Sequence, residues 1–296
     1  MAILVAASFD AVEWAEWWPL LEAALPGERL VRAPQGESID VAIVANSAPG
    51  SLAGLPGLRL IQSLWAGVDR LLDDPDLPPG VPLARMVDPA MNTVMAQTAL
   101  WAVTGLQRDF FRYAAQQRAA SWQVHPLRAA DRVRVLVLGR GQMGQASARA
   151  LAGAGYRVDV WHRDAGPLPA ALAQADIAID LLPLTPATRG LFDAATFACL
   201  PRGAAFINLA RGAQVVEADL LAALDSGHLR HAVLDVFATE PLPPSHRFWS
   251  HPAVTVLPHV AAPTDPRSAA PIAARNVQAL RAGRGLANLV DRTRGY

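Results

Sequence analysis

Residues 133–151 read VRVLVLGRGQMGQASARAL: an apolar β-rich run, three glycines at Gly139, Gly141 and Gly144, then a stretch with helical spacing. A strand, a tight turn and a helix follow from this order. The spacing is GxGxxG, and each glycine meets a different demand. The first makes the turn, the second lets the backbone approach a pyrophosphate, and the third packs helix against strand. Amides at the helix start, around Gln142 and Met143, would then face phosphate oxygens. Within this setting the motif predicts a bound dinucleotide.

Outward from this point, the chain alternates strands with helices. YRVDVW, DIAIDLLPL, AAFINLA, HAVLDVF and VTVLPHV follow the first strand, with helices expected over 144–154, near 168–174, near 193–200 and over 216–226. Six strand candidates separated by helices fit a doubly wound parallel sheet. The first ninety residues carry a second series, ILVAAS, VAIVANS and LRLIQSLW. MAILVAASFD has no basic leader and no small-residue cleavage pattern, so it reads as a first buried strand. One long helix is expected from Met91 to Tyr113, and another from about Pro271. The fold class is α/β with two parallel-sheet lobes of Rossmann-like or flavodoxin-like type.

Composition narrows the function. A length of 296 residues suits about two domains of roughly 100–200 residues each. The formal net charge is zero, without a long run of one sign, so neither nucleic acid nor an anionic membrane is an expected partner. No apolar stretch is long enough to cross a bilayer. Cys199 is the only cysteine, which removes disulfides and CxxC metal or redox motifs. A cytoplasmic location and no metal site are expected. All 26 basic residues are arginine. The absence of lysine excludes a Schiff-base enzyme and a P-loop nucleotidase, both of which need that amine.

A dinucleotide site that holds NAD usually ends its second strand on a carboxylate for the ribose 2′-OH. In VDVWHRD, residues 158–164, that place is taken by His162 and Arg163. An arginine fork suits a 2′-phosphate, which a carboxylate would repel. The stretch therefore points to NADP(H), with Arg140 in the glycine loop as a second cation. Asp164 arrives two positions late, and a shift of register would let it serve NAD(H) instead. Surface arginines without a ligand are the simpler alternative at both positions.

Three strand ends carry groups suited to carbonyl reduction: Arg211 in FINLARGA, Glu240 in LDVFATEP and His259 in VTVLPHVAA. In an open α/β sheet, ligands gather beyond the carboxyl ends of the strands. Arginine can hold a carboxylate bidentately and polarise a neighbouring carbonyl. Histidine can give or take the alcohol proton, and a carboxylate beside it favours its charged form. Each has an ordinary structural alternative when taken alone.

Together the run 206–244 and the segment FWSHPAVTVLPHVAA resemble the D-isomer-specific 2-hydroxyacid dehydrogenases. SLWAGVD at 63–69, FWSHP and the ending VDRTRGY resemble the glyoxylate/hydroxypyruvate reductase A subgroup. The resemblance implies that Arg211 binds the substrate carboxylate, His259 is the general acid and Glu240 aims its imidazole. It implies that Asp235 contacts the nicotinamide carboxamide and that Leu182, Pro183 and Ala210 line the cofactor. In the other lobe the backbone amides of Trp65, Ala66 and Gly67 would receive the carboxylate. It further implies a cofactor lobe, 93–271, inserted into a substrate lobe, 1–92 and 272–296, with a homodimer assembled through the cofactor lobe.

The implied activity is NADPH-preferring reduction of small 2-oxo acids such as glyoxylate or hydroxypyruvate, with NAD(H) a possible cofactor. Trp65, Met91 and Trp249 would narrow the pocket or serve as ordinary core and interface residues. Two other readings share the fold: an NADH-dependent dehydrogenase of a larger substrate, and a non-enzymatic dinucleotide sensor or corepressor.

Overall fold

Apolar runs bounded by turn residues become strands, and the amphipathic stretches between them become the helices that cover the sheets. The computed structural model describes residues 1–296. In chain order the first elements are β1 (Ala2–Ala7), α1 (Ala11–Ala24), β2 (Leu30–Val31), β3 (Ile39–Ala45), β4 (Leu60–Ser63), α2 (Asp69–Leu72) and β5 (Leu83–Ala84). Next come α3 (Pro89–Gln107), α4 (Phe110–Arg118), β6 (Arg134–Leu138), α5 (Gln142–Gly153), β7 (Arg157–Trp161), α6 (Leu168–Leu172) and β8 (Ile177–Asp180). The chain finishes through α7 (Ala194–Ala198), β9 (Ala204–Asn208), α8 (Glu217–Asp225), β10 (Leu229–Leu234), β11 (Val254–Val256) and α9 (Pro266–Arg281).

The chain divides into two units, 1–91 with 264–296, and 92–263. The first holds a five-stranded sheet in the order β2-β1-β3-β4-β5, and the second a six-stranded sheet in the order β11-β10-β9-β8-β6-β7. Every pairing between named strands is parallel. Both orders are of the flavodoxin-like type, in which the chain steps to one side of its first strand and then returns past it.

In the second unit the alternation of side chains along β6 builds two cores. Val135 and Val137 join Met95, Ala99 and Val103 of α3 and Leu151 of α5. Leu136 and Leu138 join Leu172 of α6, Phe197 of α7 and Leu220 and Leu224 of α8. Strands buried on both faces read as continuous apolar runs, which is why the sequence shows them so clearly.

Two expectations need correction. The single helix over 91–113 is two helices, because Asp109 adopts a left-handed φ of 56° between α3 and α4. Such a backbone cannot continue a right-handed helix. The last helix begins at Pro266, not near Pro271, and the return to the first unit accordingly falls at 263/264. Asp265 caps it by accepting the amide of Arg267, and proline is tolerated in the first helical turn. Within the first unit α9 buries Ala269, Ala270, Ala273, Ala274 and Val277. Its Asn276 donates to Gln62 Oε1 at 2.7 Å, and its Arg281 pairs with Glu28 at 2.7 Å and with Asp40. No helix is long and apolar enough to cross a membrane.

Candidate active site

The sheet order of the second unit sets β6 and β8 side by side, with β7 beyond β6, so a crevice opens past the ends of β6 and β8. The glycine loop lies there. Gly139 has φ of +117°, and a Cβ on it would stand 2.6 Å from the Leu181 carbonyl oxygen. A Cβ on Gly144 would stand 2.0 Å from the Gly139 oxygen. Both positions are closed to any side chain by the protein itself. Gly141 differs: nothing lies within 4 Å of its Cβ position, and its φ of −65° suits any residue. The protein has no steric need for glycine at 141, and the space it leaves is where a pyrophosphate would approach. No side chain caps α5, so its first-turn amides at Gln142 and Met143 remain for an anion. These residues fit a dinucleotide.

Across the crevice, Leu182 donates its amide to Asp180 Oδ1 at 3.0 Å, and the chain turns there into Pro183. Asp180 is fully buried and its Oδ2 has no partner. Burial pushes its carboxyl up to about 8, against the smaller opposing effect of the Leu182 amide. Gln214 reaches over from the next loop, donating to the carbonyls of Leu182 and Pro183, each at 3.4 Å.

Arg211 follows β9 and is held from three sides. Asn208 accepts the Ala210 amide at 3.0 Å and donates to the Arg211 carbonyl at 3.1 Å. Gln214 Oε1 accepts the Arg211 amide at 3.0 Å. The guanidinium donates from Nη1 to the Ala210 carbonyl at 2.7 Å, which bends the side chain back over its own turn. Gly212 then lies against the next loop: a Cβ there would be 1.9 Å from the Phe237 carbonyl carbon.

That next loop, after β10, carries Glu240. Its Oε1 accepts the Phe237 amide at 3.0 Å, and its Oε2 meets His259 Nδ1 at 2.8 Å. With Nδ1 bonded to a carboxylate it carries the proton there, so Nε2 is the atom offered to a reacting group. His259 itself has φ of +55°, an uncommon conformation for a residue with a Cβ. Asp235 sustains it. The Asp235 carbonyl accepts the His259 amide at 2.8 Å, while its carboxylate accepts the amides of Val260 at 2.7 Å and Ala261 at 2.9 Å. Burial outweighs these bonds and raises the Asp235 carboxyl. Expected to face a nicotinamide, Asp235 is only 1% exposed, and both of its oxygens are engaged in shaping the His259 turn.

At the end of β7 Arg140 donates from Nη1 to His162 Nε2 at 3.4 Å, and Arg163 is exposed beside them. In the first unit, Ser63 Oγ accepts the Trp65 amide at 3.0 Å, so of the three amides expected to receive a carboxylate this one is engaged within its own turn. The Trp65 ring stacks edge-on with Phe9 and Trp17. Met91 is buried, whereas Trp249 is 53% exposed and donates to the Pro243 carbonyl at 3.0 Å. Asn208 and Gln214 did not stand out in the sequence. The one signal is an amide closing the apolar run of β9, which marks Asn208 but not Gln214.

A dinucleotide crevice, with an arginine and a carboxylate-backed histidine at the ends of the following strands, defines a nicotinamide-dependent oxidoreductase. Known proteins agree with that class. Residues 100–261 match the family described as D-isomer specific 2-hydroxyacid dehydrogenase, NAD binding domain. The chain is 38% identical to the glyoxylate/hydroxypyruvate reductase A of Yersinia enterocolitica, covering 97% of both chains. Its fold superposes with a TM-score of 0.92 on a D-isomer specific 2-hydroxyacid dehydrogenase from Xanthobacter autotrophicus Py2 solved with NADPH and MES. That protein is 40% identical, with 100% of this chain and 99% of that one covered. The NADPH-dependent glyoxylate/hydroxypyruvate reductase of Sinorhizobium meliloti, solved with NADP and sulfate, gives 0.92 at 37% identity, with 100% and 99% covered. The chain belongs to the D-isomer specific 2-hydroxyacid dehydrogenases.

Proposed function

We propose that the protein reduces small 2-oxo acids, with glyoxylate and hydroxypyruvate as the leading candidates, to D-2-hydroxy acids, using NADPH in preference to NADH. The observation that carries the chemistry is the 2.8 Å contact between His259 Nδ1 and Glu240 Oε2, one loop away from Arg211. The choice of substrate is supported by the likeness to the glyoxylate/hydroxypyruvate reductases of Yersinia and Sinorhizobium, and that of NADPH by the second, which is NADPH-dependent. The guanidinium groups of Arg140, in the glycine loop after β6, and of Arg163, after β7, with the His162 ring between them, suit a 2′-phosphate.

A reduced dinucleotide held by its pyrophosphate at Gly139–Gly144 would supply a hydride from its nicotinamide to the carbonyl carbon. Arg211 holds the carboxylate and draws electron density from the adjacent carbonyl oxygen. His259 delivers a proton from Nε2 to that oxygen as it gains charge, and Glu240 keeps the ring at its angle and stabilises the imidazolium. Asp235 acts through the main chain, as the anchor of the His259 turn. Asn208 and Gln214 set the Arg211 turn against Ala210, Leu182 and Pro183.

We assign 92–263 as the cofactor domain, and 1–91 with 264–296 as the substrate domain. We also propose a homodimer in the cytoplasm. The exposed side chains of Trp101, Phe110, Trp122, Val124 and Leu127 cluster on α3, α4 and the stretch after them, and Trp122 is 95% exposed. So much aromatic surface in one segment suits a partner copy. Sedimentation should give twice the chain mass.

A panel of 2-oxo acids of increasing length, each assayed with NADH and NADPH through the absorbance of the reduced nicotinamide, tests the activity. Short acids with NADPH should show the highest kcat/KM. Equal or better turnover with NADH would reject the cofactor assignment, and no turnover with any acid would reject the reaction.

A further inference from the structure

A carboxylate lies among the very cations to which the 2′-phosphate is assigned. The short turn Arg163–Ala165 that follows β7 brings Asp164 back toward the glycine loop. Asp164 Oδ2 stands 3.6 Å from Arg140 Nη2 and 3.8 Å from His162 Nδ1. Arg140 also contacts His162 Nε2, and since a guanidinium can only donate, Nε2 is the acceptor there. The ring proton therefore sits on Nδ1, the atom turned toward Asp164. That nitrogen is buried and has no hydrogen-bond partner. Arg140 and His162 thus converge on one carboxylate oxygen, at distances beyond a hydrogen bond.

We propose that Asp164 is an internal surrogate for the 2′-phosphate, and that it sets how strongly this protein prefers NADPH. The proposal rests on the NADPH reading above and deepens it. In the cofactor-free protein, Asp164 neutralises part of the cluster's charge. The contacts are long and the groups are open to water, with Asp164 74% and Arg140 61% exposed at the side chain. An exposed pair of this kind holds weakly, so a phosphate can displace it. Displacement does not remove the carboxylate's charge, because Asp164 is tethered by the turn within a few ångströms of the incoming dianion. NADPH therefore binds against a fixed negative charge that NADH, with a neutral 2′-OH, does not feel. The cations create the preference, and Asp164 limits it.

Asp164→Asn keeps the shape and removes the charge. Binding of NADPH and NADH to the whole protein, followed by quenching of tryptophan fluorescence at low salt, should show NADPH tightened about fivefold to tenfold and NADH unchanged. That magnitude corresponds to one exposed charge at roughly 4 Å. Raising the salt should shrink the gain. Unchanged or weaker NADPH binding overturns the proposal, as does equal tightening of both cofactors. A loss confined to NADH also overturns it, and would make Asp164 the acceptor of the ribose 2′-OH. Arg140→Ala and Arg163→Ala, titrated in parallel, test the underlying reading separately: if neither weakens NADPH, the phosphate lies elsewhere and the cofactor assignment itself fails. A thermal melt of Asp164→Asn that overlays the wild type shows that the fold is not the cause.

Discussion

Glu240 touches His259 Nδ1 with one carboxylate oxygen, at 2.8 Å, and the Phe237 amide with the other, at 3.0 Å. The carboxylate is thereby locked in its own loop before it orients the ring. His259→Asn should lower kcat by about 10²–10⁴-fold, the usual worth of a positioned general acid. Glu240→Gln, which keeps the shape but not the charge, should fall short of that loss. Titration of NADPH by fluorescence should give wild-type affinity for both variants. Turnover unaffected in His259→Asn would exclude it as the proton donor.

Arg211 should not tolerate lysine. A planar fork can engage a carboxylate with two parallel hydrogen bonds, and an ammonium cannot. In Arg211→Lys, kcat/KM for a 2-oxo acid should drop by roughly 10²–10³-fold, the scale of losing one oriented donor at a developing charge. The same variant should lose less on a simple ketone of similar size, which offers Arg211 a carbonyl oxygen but no carboxylate. A parallel loss on the ketone would mean that Arg211 does not read the carboxylate.

The glycine loop offers a contrast between two alanines. Gly144→Ala forces a Cβ to 2.0 Å from a backbone oxygen, so the protein should express poorly or melt well below the wild type. Gly141→Ala places its Cβ in open space with an ordinary φ, so circular dichroism should show an unchanged melt. Its NADPH affinity should nevertheless fall, because the methyl group enters the pyrophosphate's path. An affinity equal to the wild type would move the phosphates away from this loop.

Stability should depend on Asp180. Its carboxyl is raised from 3.8 to about 8, so between those values the folded protein holds a proton that the unfolded chain has released. Its contribution is most favourable below about pH 4, falls as pH rises through the window, and levels off above about 8. Asp180→Asn removes this dependence. In urea denaturation the difference between variant and wild type should grow in the variant's favour from pH 5 to pH 8. A constant difference would show that Asp180 is already ionised in the folded state near neutral pH.

The sheet of the second unit was legible because its central strands β6, β8 and β9 are buried on both faces and read as largely apolar runs. Leu30–Val31 and Leu83–Ala84 are too short to carry any periodicity, and they pair only because longer neighbours present an edge. The apolar spacing across 91–113 is continuous, so it could not reveal that Asp109 turns left-handed. At the site, charged groups at strand ends were visible as chemistry. Asn208, Gln214 and the anchoring of the His259 turn by Asp235 were not, since a main-chain hydrogen bond leaves no pattern in a sequence. Gly212 is a similar case: its need for glycine arises from Phe237, a residue distant along the chain.

The His259 side chain is 51% exposed although its backbone is pinned by Asp235. The ring can therefore reload its proton directly from bulk water after each turnover, without a wire of internal waters or hydroxyls. In heavy water the hydrogen delivered to carbon should keep the label of the nucleotide, because only the proton bound for oxygen passes through the ring.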